Sequence, residues 1–525
     1  MLPESPPTPL PYLHHLLREL QRLEHEERAA SDAVPYVLPS VWLPPHTVSG
    51  RTVTPSAPNI LARTVQSIIA APARRSPRGL HDAVVYSMLI RHATAFDHDE
   101  LGATADQAEN DATTSSVFPE VLPSLLSRGG WRCTGSFVKS ILLLPYLSWL
   151  GINTLYVLPV FEPSTMHAKG SLGSVFAVRD LGAVDVSLAE PLVGMSADEQ
   201  FRAFIEACHH LGFRVLCEFP LRTTSRDAVW CTEHPAWYYW TKESSTELHP
   251  PAFSHEALSR IRRKVDIADW HDLPEPDEDY RTRFVAAPVT VVRDAEGMPL
   301  GTSADGSRCR IPGAFADYPP DDSQPLWDDV TYLNLFDHPH FAYPAYNTVR
   351  MFDERLRRKE CERADLWEAL GDVIPSFIRR FDVDGAVLDM SHALPERLRT
   401  LIIAKARKEK ESFLFIEENF TRDEESSRSG FDAVLGDVWW HASSIGSLSA
   451  CLARHASLDG AVPTFVALDT HNTPRCATRL PWTDISAAYA MIMASTAGIP
   501  MILAGSEFGE TVPMNTGLLF GDDDL

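Results

Sequence analysis

The chain has 525 residues, of which 44% are hydrophobic and 22% are charged, an ordinary balance for a globular protein with a large core. Its formal net charge of -24 argues against a nucleic-acid partner, because phosphate binding needs a basic surface. The start lacks a basic segment followed by an apolar run, and no stretch approaches the roughly 18 apolar residues of a membrane span. We therefore expect neither a signal peptide nor a membrane-spanning segment.

Eight cysteines are scattered along the chain, and none of them forms a C-x-x-C pair. This spacing indicates neither a disulfide scaffold nor a zinc site, so we predict a protein without metal or cofactor. We expect it to reside in a reducing cytoplasm. The pattern does not predict an oligomeric state.

Residues 1–80 differ in composition from the rest of the chain. They are rich in proline, carry an amphipathic stretch at 13–27, and then run through PSAPN and AAPARRSPRG, which are typical of linkers. We predict an N-terminal extension with one or two helices, followed by a main domain over 81–525.

From about residue 81, short apolar runs alternate with longer helical patterns. Continuous apolar strands are typical of a parallel sheet buried on both faces. The runs lie at 83–90, 152–160, 213–219, 385–390, 413–417, 432–437, 464–469 and 499–505, with helical patterns at 138–149, 196–211, 367–380, 395–409, 440–454 and 484–496. Eight strands with intervening helices predict an α/β fold of the (β/α)₈ TIM-barrel type. A doubly wound open sheet is the alternative, but no strand is followed by a G-x-G-x-x-G turn.

The connection between the third and fourth strands is too long for a simple loop. We predict an insertion over 226–345, which in a barrel forms part of the active-site wall. Its aromatic run HPAWYYW at 234–240, together with Trp230, fits either a sugar-stacking platform or, more commonly, an aromatic cluster that packs the insertion onto the barrel.

Polar side chains follow the fourth, fifth and seventh strands at their carboxyl ends, where a barrel places its active site. These are Asp389, Glu418, and Asp469 with His471 and Asn472. Each acid alone fits a salt bridge or a cap, since a buried acid is costly unless paired. Together they predict a site: two carboxyls roughly 5–5.5 Å apart can perform a double displacement at a sugar carbon. Because neighbouring strand residues point to opposite sides, only one of Glu417 and Glu418 can face the mouth.

These motifs, in this order and with the long insertion, resemble the α-amylase family of glycoside hydrolases from about residue 83 to the end. The matching stretches are GINTLYVLPVFEPS, FRVLCEFPLRTTSRD, FDVDGAVLDM, FLFIEENF, LDTHNTPR and AGIPMILAGSEFGE. The resemblance implies that Asp389 is the nucleophile, that Glu418 is the general acid/base, and that His471 binds substrate.

The chain also departs from the family pattern. The family's arginine before the nucleophile is Val387, its transition-state-stabilising aspartate is Asn472, and its Asn-His pair after strand three is Arg222 and Thr223, which makes a calcium ion there unexpected. Asp469 or Arg222 are candidates to compensate as substrate-binding residues. We also expect the family's eighth helix and C-terminal β-sandwich to be absent.

Two functions of different class follow. The first is retaining hydrolysis or transglycosylation of α-glucosidic bonds in an α-glucan or oligosaccharide. The second is a catalytically impaired barrel that binds carbohydrate or a protein partner, favoured by the replaced residues. A third possibility is transfer to an anion held by Arg222, although an ion pair with a carboxylate at the mouth is the more common role for such an arginine.

Overall fold

The computed structural model describes residues 9–30, 34–46, 50–77, 79–99, 126–166, 172–245, 253–266, 269, 271–314, 327–338, 343–344, 358–420, 424–442, 444–457, 462–495, 498–514 and 516. Within these residues no helix combines the length and the apolar character needed to cross a membrane.

Helices and strands alternate along most of the chain. The helices are α1 Pro11–Ala30, α2 Ala57–Ala70, α3 Ile90–Ala93, α4 Phe137–Leu150, α5 Ala197–His210, α6 Trp230–Glu233, α7 His255–Asp266, α8 Glu278–Thr282, α9 Ala364–Phe381, α10 Glu396–Glu409, α11 Glu424–Arg428, α12 Val438–His441, α13 Ile445–Ala456 and α14 Trp482–Ser495. The strands are β1 Tyr36–Pro39, β2 Arg51–Thr54, β3 Val85–Met88, β4 Thr154–Val157, β5 Phe161–Pro163, β6 Val178–Val184, β7 Arg214–Phe219, β8 Thr223–Ser225, β9 Trp240–Lys242, β10 Phe284–Val285, β11 Thr290–Arg293, β12 Pro299–Thr302, β13 Arg308–Arg310, β14 Val330–Tyr332, β15 Gly385–Leu388, β16 Leu414–Glu417, β17 Ala433–Val434, β18 Phe465–Val466 and β19 Ile499–Leu503.

Eight parallel strands form a closed barrel. Their order is β3, β4, β7, β15, β16, β17, β18 and β19, and β19 pairs back onto β3. A parallel bridge between Val434 and Thr464 completes the ring between β17 and β18, where Val434 N donates to Pro463 O at 3.0 Å. Every strand lies within one of the eight predicted apolar runs, so the (β/α)₈ prediction is confirmed.

The barrel strands are apolar because both of their faces are buried. All four residues of β3, β4 and β15 are buried, as continuous rather than alternating hydrophobicity predicts. One helix differs from the prediction: the stretch 440–454 contains two helices, α12 and α13. The Ser444 hydroxyl accepts from Ser447 N and begins α13 as an N-cap, which favours a new start over a continuous helix.

The N-terminal extension packs against the outside of the barrel. Leu13, Leu16 and Leu20 share one face of α1 and are fully buried, and α1 contacts α2 and the barrel helix α5. Glu206 of α5 accepts from Leu13 N at 2.8 Å, which anchors the first turn. The amphipathic stretch at 13–27 therefore lies in a docked helix.

The segment between β7 and β15 contains a sheet of its own. Its five antiparallel strands follow the order β10, β9, β13, β12, β11, and β14 pairs with β8 near the barrel. The predicted insertion contains residues outside the described ones, at 246–252, 267–268, 270, 315–326, 339–342 and 345. The chain end at 517–525 also lies outside the described residues. The prediction of a missing eighth helix and C-terminal sandwich stays a prediction.

Candidate active site at the mouth of the barrel

Asp389 and Glu418 lie side by side because they follow neighbouring strands in register. Leu388 of β15 pairs with Glu417 of β16, so the next residue of each strand emerges at the same level. The backbone N–H of Glu418 donates to Leu388 O at 3.3 Å, which extends the pairing by one step. Both side chains are thereby placed at the carboxyl end of the barrel.

A backbone turn behind the pair supports the Glu418 carboxylate. Met390 has a φ of 46°, the left-handed region that costs a non-glycine residue about 1–2 kcal/mol. In this conformation the Met390 N–H donates to Glu418 Oε2 at 2.5 Å. Strained backbone of this kind is retained where the surroundings enforce it, often at functional sites.

The two carboxyls lie side by side. Glu418 Oε2 accepts from the N–H of Met390, the residue after Asp389, and Glu418 is 5% exposed. Burial, then the negative charge of the nearby Glu418, raise the pKa of Asp389 well above its ordinary value. The site thus favours a protonated Asp389.

Sequence reasoning missed a third carboxyl, that of Glu218. It lies on β7 opposite Val387, and its side chain is 1% exposed. Burial, then the charges of Asp389 and Glu418, raise the pKa of Glu218 well above its ordinary value. The signal was present in the sequence, since FRVLCEF contains one acid inside an otherwise apolar strand.

Tyr156 lies on β4, on the other side of β7 from Asp389. Its hydroxyl is near Glu218 and lowers the pKa of that carboxyl, against the larger effect of burial. The two side chains do not form a hydrogen bond of ordinary geometry. Burial and the charge of Glu218 in turn raise the pKa of Tyr156 well above its ordinary value. Among the described residues, neither Glu218 carboxylate oxygen has a hydrogen-bond partner of ordinary geometry.

Glu417 points away from the mouth, as strand alternation requires for one member of the Glu417–Glu418 pair. Arg399 Nη1 of α10 donates to Glu417 Oε1 at 3.0 Å, and the Ser426 hydroxyl donates to its other oxygen. With both of its oxygens engaged, Glu417 belongs to the packing between β16 and the outer helices.

His471 lies next to the cluster of Asp389, Glu418, Glu218 and Tyr156, where its ring contacts two aromatic side chains. Its ring centroid lies 6.1 Å from that of Tyr156 in an edge-on arrangement and 6.1 Å from that of Phe176 in a stacked one. Burial lowers the pKa of His471 to about 4, so its imidazole is neutral near neutral pH. Among the described residues its Nε2 has no hydrogen-bond partner.

The other residues predicted after strand seven lie in different surroundings. Asn472 is exposed in the turn that follows His471. Asp469 is 0% exposed; its carboxylate accepts from Cys476 N at 2.8 Å and from the Ser506 hydroxyl at 2.9 Å. These bonds join the loops that follow β18 and β19.

Arg222 contacts the insertion, and Trp230 lies within it. The Arg222 guanidinium lies 4.6 Å from the Tyr332 ring centroid, and its Nη1 donates to Leu333 O at 3.3 Å. Burial lowers the pKa of Arg222. Trp230 packs edge-on against Trp237 with centroids 5.1 Å apart, the arrangement expected of a packing cluster.

Sequence comparisons connect these observations to known proteins. No family model matches the chain. The chain is 30% identical over 171 residues to an alpha-1,4-glucan:maltose-1-phosphate maltosyltransferase of Bifidobacterium animalis subsp. lactis, covering 28% of this chain and 23% of that protein. It is 28% identical over 171 residues to a trehalose synthase of Pimelobacter sp., covering 33% and 24%. The stretches that resemble the α-amylase family in sequence lie at the barrel strands β4, β7, β15, β16, β18 and β19, in chain order.

The chain is similar to enzymes of the α-amylase family, at the low identity of a divergent relative. The matched region spans about a quarter of the length of these curated relatives. Among solved structures, an α-amylase from Lactobacillus plantarum is 17% identical, with a TM-score of 0.48 and coverage of 84% of this chain and 77% of the other. The fold assignment rests on the closed barrel of the chain itself.

Proposed function

We propose that this protein cleaves or transfers α-glucosidic bonds of an α-glucan or maltooligosaccharide with retention of configuration, through Asp389 and Glu418. The observation that carries the proposal is the position of these carboxyls, which directly follow paired residues of the neighbouring strands β15 and β16. Two adjacent carboxyls can supply both the nucleophile and the general acid/base of a double displacement.

In the proposed reaction, the Asp389 carboxylate attacks the anomeric carbon while Glu418 gives its proton to the leaving glycosidic oxygen. A bond forms between Asp389 and the sugar as the glycosidic bond breaks. Glu418 then takes a proton from water or from an acceptor hydroxyl, whose oxygen displaces Asp389. Because the pKa of Asp389 is raised, this carboxyl must lose its proton before it can attack.

Two residues of the loop after β18 are proposed to contact the sugar. The neutral imidazole of His471, with its free Nε2 among the described residues, suits a hydrogen bond to a sugar hydroxyl. Asn472 follows it in an exposed turn and offers an amide where the family has a carboxylate. Arg222, Asp469 and Trp230 stay predictions as substrate-binding residues, and their described contacts favour packing roles.

Turnover of maltooligosaccharides or activated α-glucosides by the protein and by Asp389→Asn tests this proposal. We expect the wild type to release product with the α configuration, followed by nuclear magnetic resonance, and Asp389→Asn to lose at least about 10³-fold in rate. Asp372→Asn, on the outer helix α9 and paired only with Lys405 among its described contacts, is the matched control. Equal rates for wild type and Asp389→Asn would contradict the catalytic assignment.

A binding barrel without turnover is the second candidate function. It is favoured by Val387, which cannot provide the charge-assisted contact of the family's arginine, and by the raised pKa of Asp389, since a protonated carboxyl is a poor nucleophile. Calorimetry separates the two: maltooligosaccharide binding without product release supports this function, and release of product excludes it.

We also propose a reducing compartment such as the cytoplasm. All eight cysteines are free and seven of them are buried, which suits a protein whose thiols are kept reduced. Fractionation of expressing cells with detection of the protein tests this: recovery only from an oxidising compartment would contradict it.

A further inference from the structure

We propose that the protein binds a divalent transition-metal ion, with zinc as the best fit, through Asp437, Cys451 and His455. This site lies away from the carboxylates at the barrel mouth and is independent of the proposed glycosidic chemistry. Its ligands do not follow a C-x-x-C spacing, so the sequence pattern does not indicate it.

The three ligands come from two neighbouring elements. Asp437 immediately precedes α12, while Cys451 and His455 lie one turn apart on α13. Residues four apart lie on the same side of a helix, so Cys451 and His455 present their side chains in one direction. Packing of α12 against α13 brings them to Asp437.

The distances between the ligand atoms match a tetrahedral face. His455 Nε2 is 3.1 Å from Asp437 Oδ1, Cys451 Sγ is 3.5 Å from the same oxygen, and Sγ and Nε2 are 3.7 Å apart. Zinc bonds of about 2.0–2.3 Å at tetrahedral angles require ligand separations of about 3.3–3.6 Å. All three residues are buried, with their ligand atoms within 4.8 Å of one another.

His441 orients the Asp437 carboxylate from outside the ligand set. Its Nε2 is 3.2 Å from Asp437 Oδ2, while its Nδ1 is 2.7 Å from the Ser447 hydroxyl. Hydrogen-bond partners of this kind hold a ligating carboxylate in position. Three protein ligands of the Asp, Cys and His types leave the fourth position of a tetrahedral zinc ion for water.

Arg454 is the competitor of the ion. Its guanidinium donates to Asp437 Oδ2 and to Cys451 Sγ, which neutralises the carboxylate when no metal is bound. Its side chain is 52% exposed, so it can turn into solvent when a metal takes its place. Removing this guanidinium should therefore strengthen metal binding, an outcome that a purely hydrogen-bonded network does not predict.

Cobalt titration of the full-length protein, freed of metal by chelator, provides the first test. We expect one equivalent of Co²⁺ to bind and to give thiolate-to-metal charge-transfer absorption, because a coordinating thiol is deprotonated. Zn²⁺ should displace the cobalt, since it fits the tetrahedral set better. Cys451→Ser should lose the charge-transfer band, and Cys361→Ser, a buried cysteine elsewhere, should keep it.

Arg454→Ala provides the second test and leaves all three ligands in place. We expect it to bind Zn²⁺ more tightly than wild type, whereas His441→Ala, which removes a hydrogen-bond partner of Asp437, should weaken binding by about 10–100-fold. Added Zn²⁺ should raise the melting temperature of wild type but not of Cys451→Ser. A charge-transfer band that persists in Cys451→Ser, or absence of stoichiometric metal in both wild type and Arg454→Ala, would overturn the proposal.

Discussion

The protonation of Asp389 is the feature on which the chemistry of single residues depends. The proposed double displacement requires an ionised Asp389, while the resting structure raises the pKa of this carboxyl. Val387 contributes to this, because an arginine there would have favoured the charged form of the nucleophile. Substrate binding at the carboxyls is the event that we expect to ionise Asp389.

Replacing Glu418 by Gln removes the negative charge next to Asp389 and should therefore lower the pKa of Asp389. Infrared titration of the protonated carboxyl band of Asp389 measures this shift. Glu417→Gln is the control, because Glu417 is bound to Arg399 on the outer side and should leave that titration unchanged. An unchanged Asp389 titration in Glu418→Gln would show that burial alone sets its pKa.

At the scale of elements, the barrel closes where β17 approaches β18, and Gly436 makes this approach possible. It has a φ of 75°, and a Cβ built there would lie 1.7 Å from the Thr464 hydroxyl oxygen. Any side chain at this position would push the two strand ends apart. The glycine is required by contact as well as by backbone conformation.

Gly436→Ala should therefore be more destabilising than a substitution that changes conformation alone. Gly297 has a φ of 87° but nothing within 4 Å of a built Cβ, so Gly297→Ala is a matched control. We expect the free energy of unfolding in urea to be lower for Gly436→Ala by about a further 1–3 kcal/mol. Equal decreases in the free energy of unfolding for the two variants would mean that the contact between Gly436 and Thr464 does not limit the side chain at this position.

The docking of α1 onto α5 is the second contact between elements that can be measured. Leu16 is fully buried in it, so Leu16→Ala should lower the free energy of unfolding by about 2–5 kcal/mol. His14→Ala, on the exposed side of the same helix, should change it by no more than about 0.5 kcal/mol. Equal small effects would indicate that the N-terminal extension is not part of the cooperative fold.

For the whole molecule, buried histidines connect stability to pH. His98 is fully buried; its Nδ1–H donates to Val37 O, so its Nε2 accepts from the Tyr36 hydroxyl. Burial and Lys139 lower the pKa of His98 to about 3, and burial lowers that of His471 to about 4, both from 6.5. Between these values and pH 6.5, the two histidines are therefore neutral in the folded protein but protonated in the unfolded chain.

Stability should consequently fall as the pH drops below 6.5 towards the folded-state pKa values. Each of the two histidines contributes a loss of about 2 kcal/mol between pH 6.5 and 5. Urea unfolding across this range measures the slope, and His98→Gln should reduce it. Glu218 and Asp389, with raised pKa values, act in the opposite direction, so the difference between wild type and variant is the decisive quantity.

The sequence by itself determined the barrel and the candidate pair at its mouth. Eight apolar runs separated by helical patterns leave few other ways to bury both faces of a sheet, and residues after neighbouring parallel strands necessarily meet. Asp389 and Glu418 could therefore be found without coordinates, as could the opposite orientations of Glu417 and Glu418. Only tertiary structure decided where isolated polar residues point.

Glu218 remained hidden inside an apolar strand, and Asp469 proved to be enclosed by hydrogen bonds between two loops. Cys451 and His455 meet Asp437 only because α13 packs against α12. The physical reason is that periodicity encodes which face of an element is buried, whereas contacts between distant polar groups depend on how elements pack.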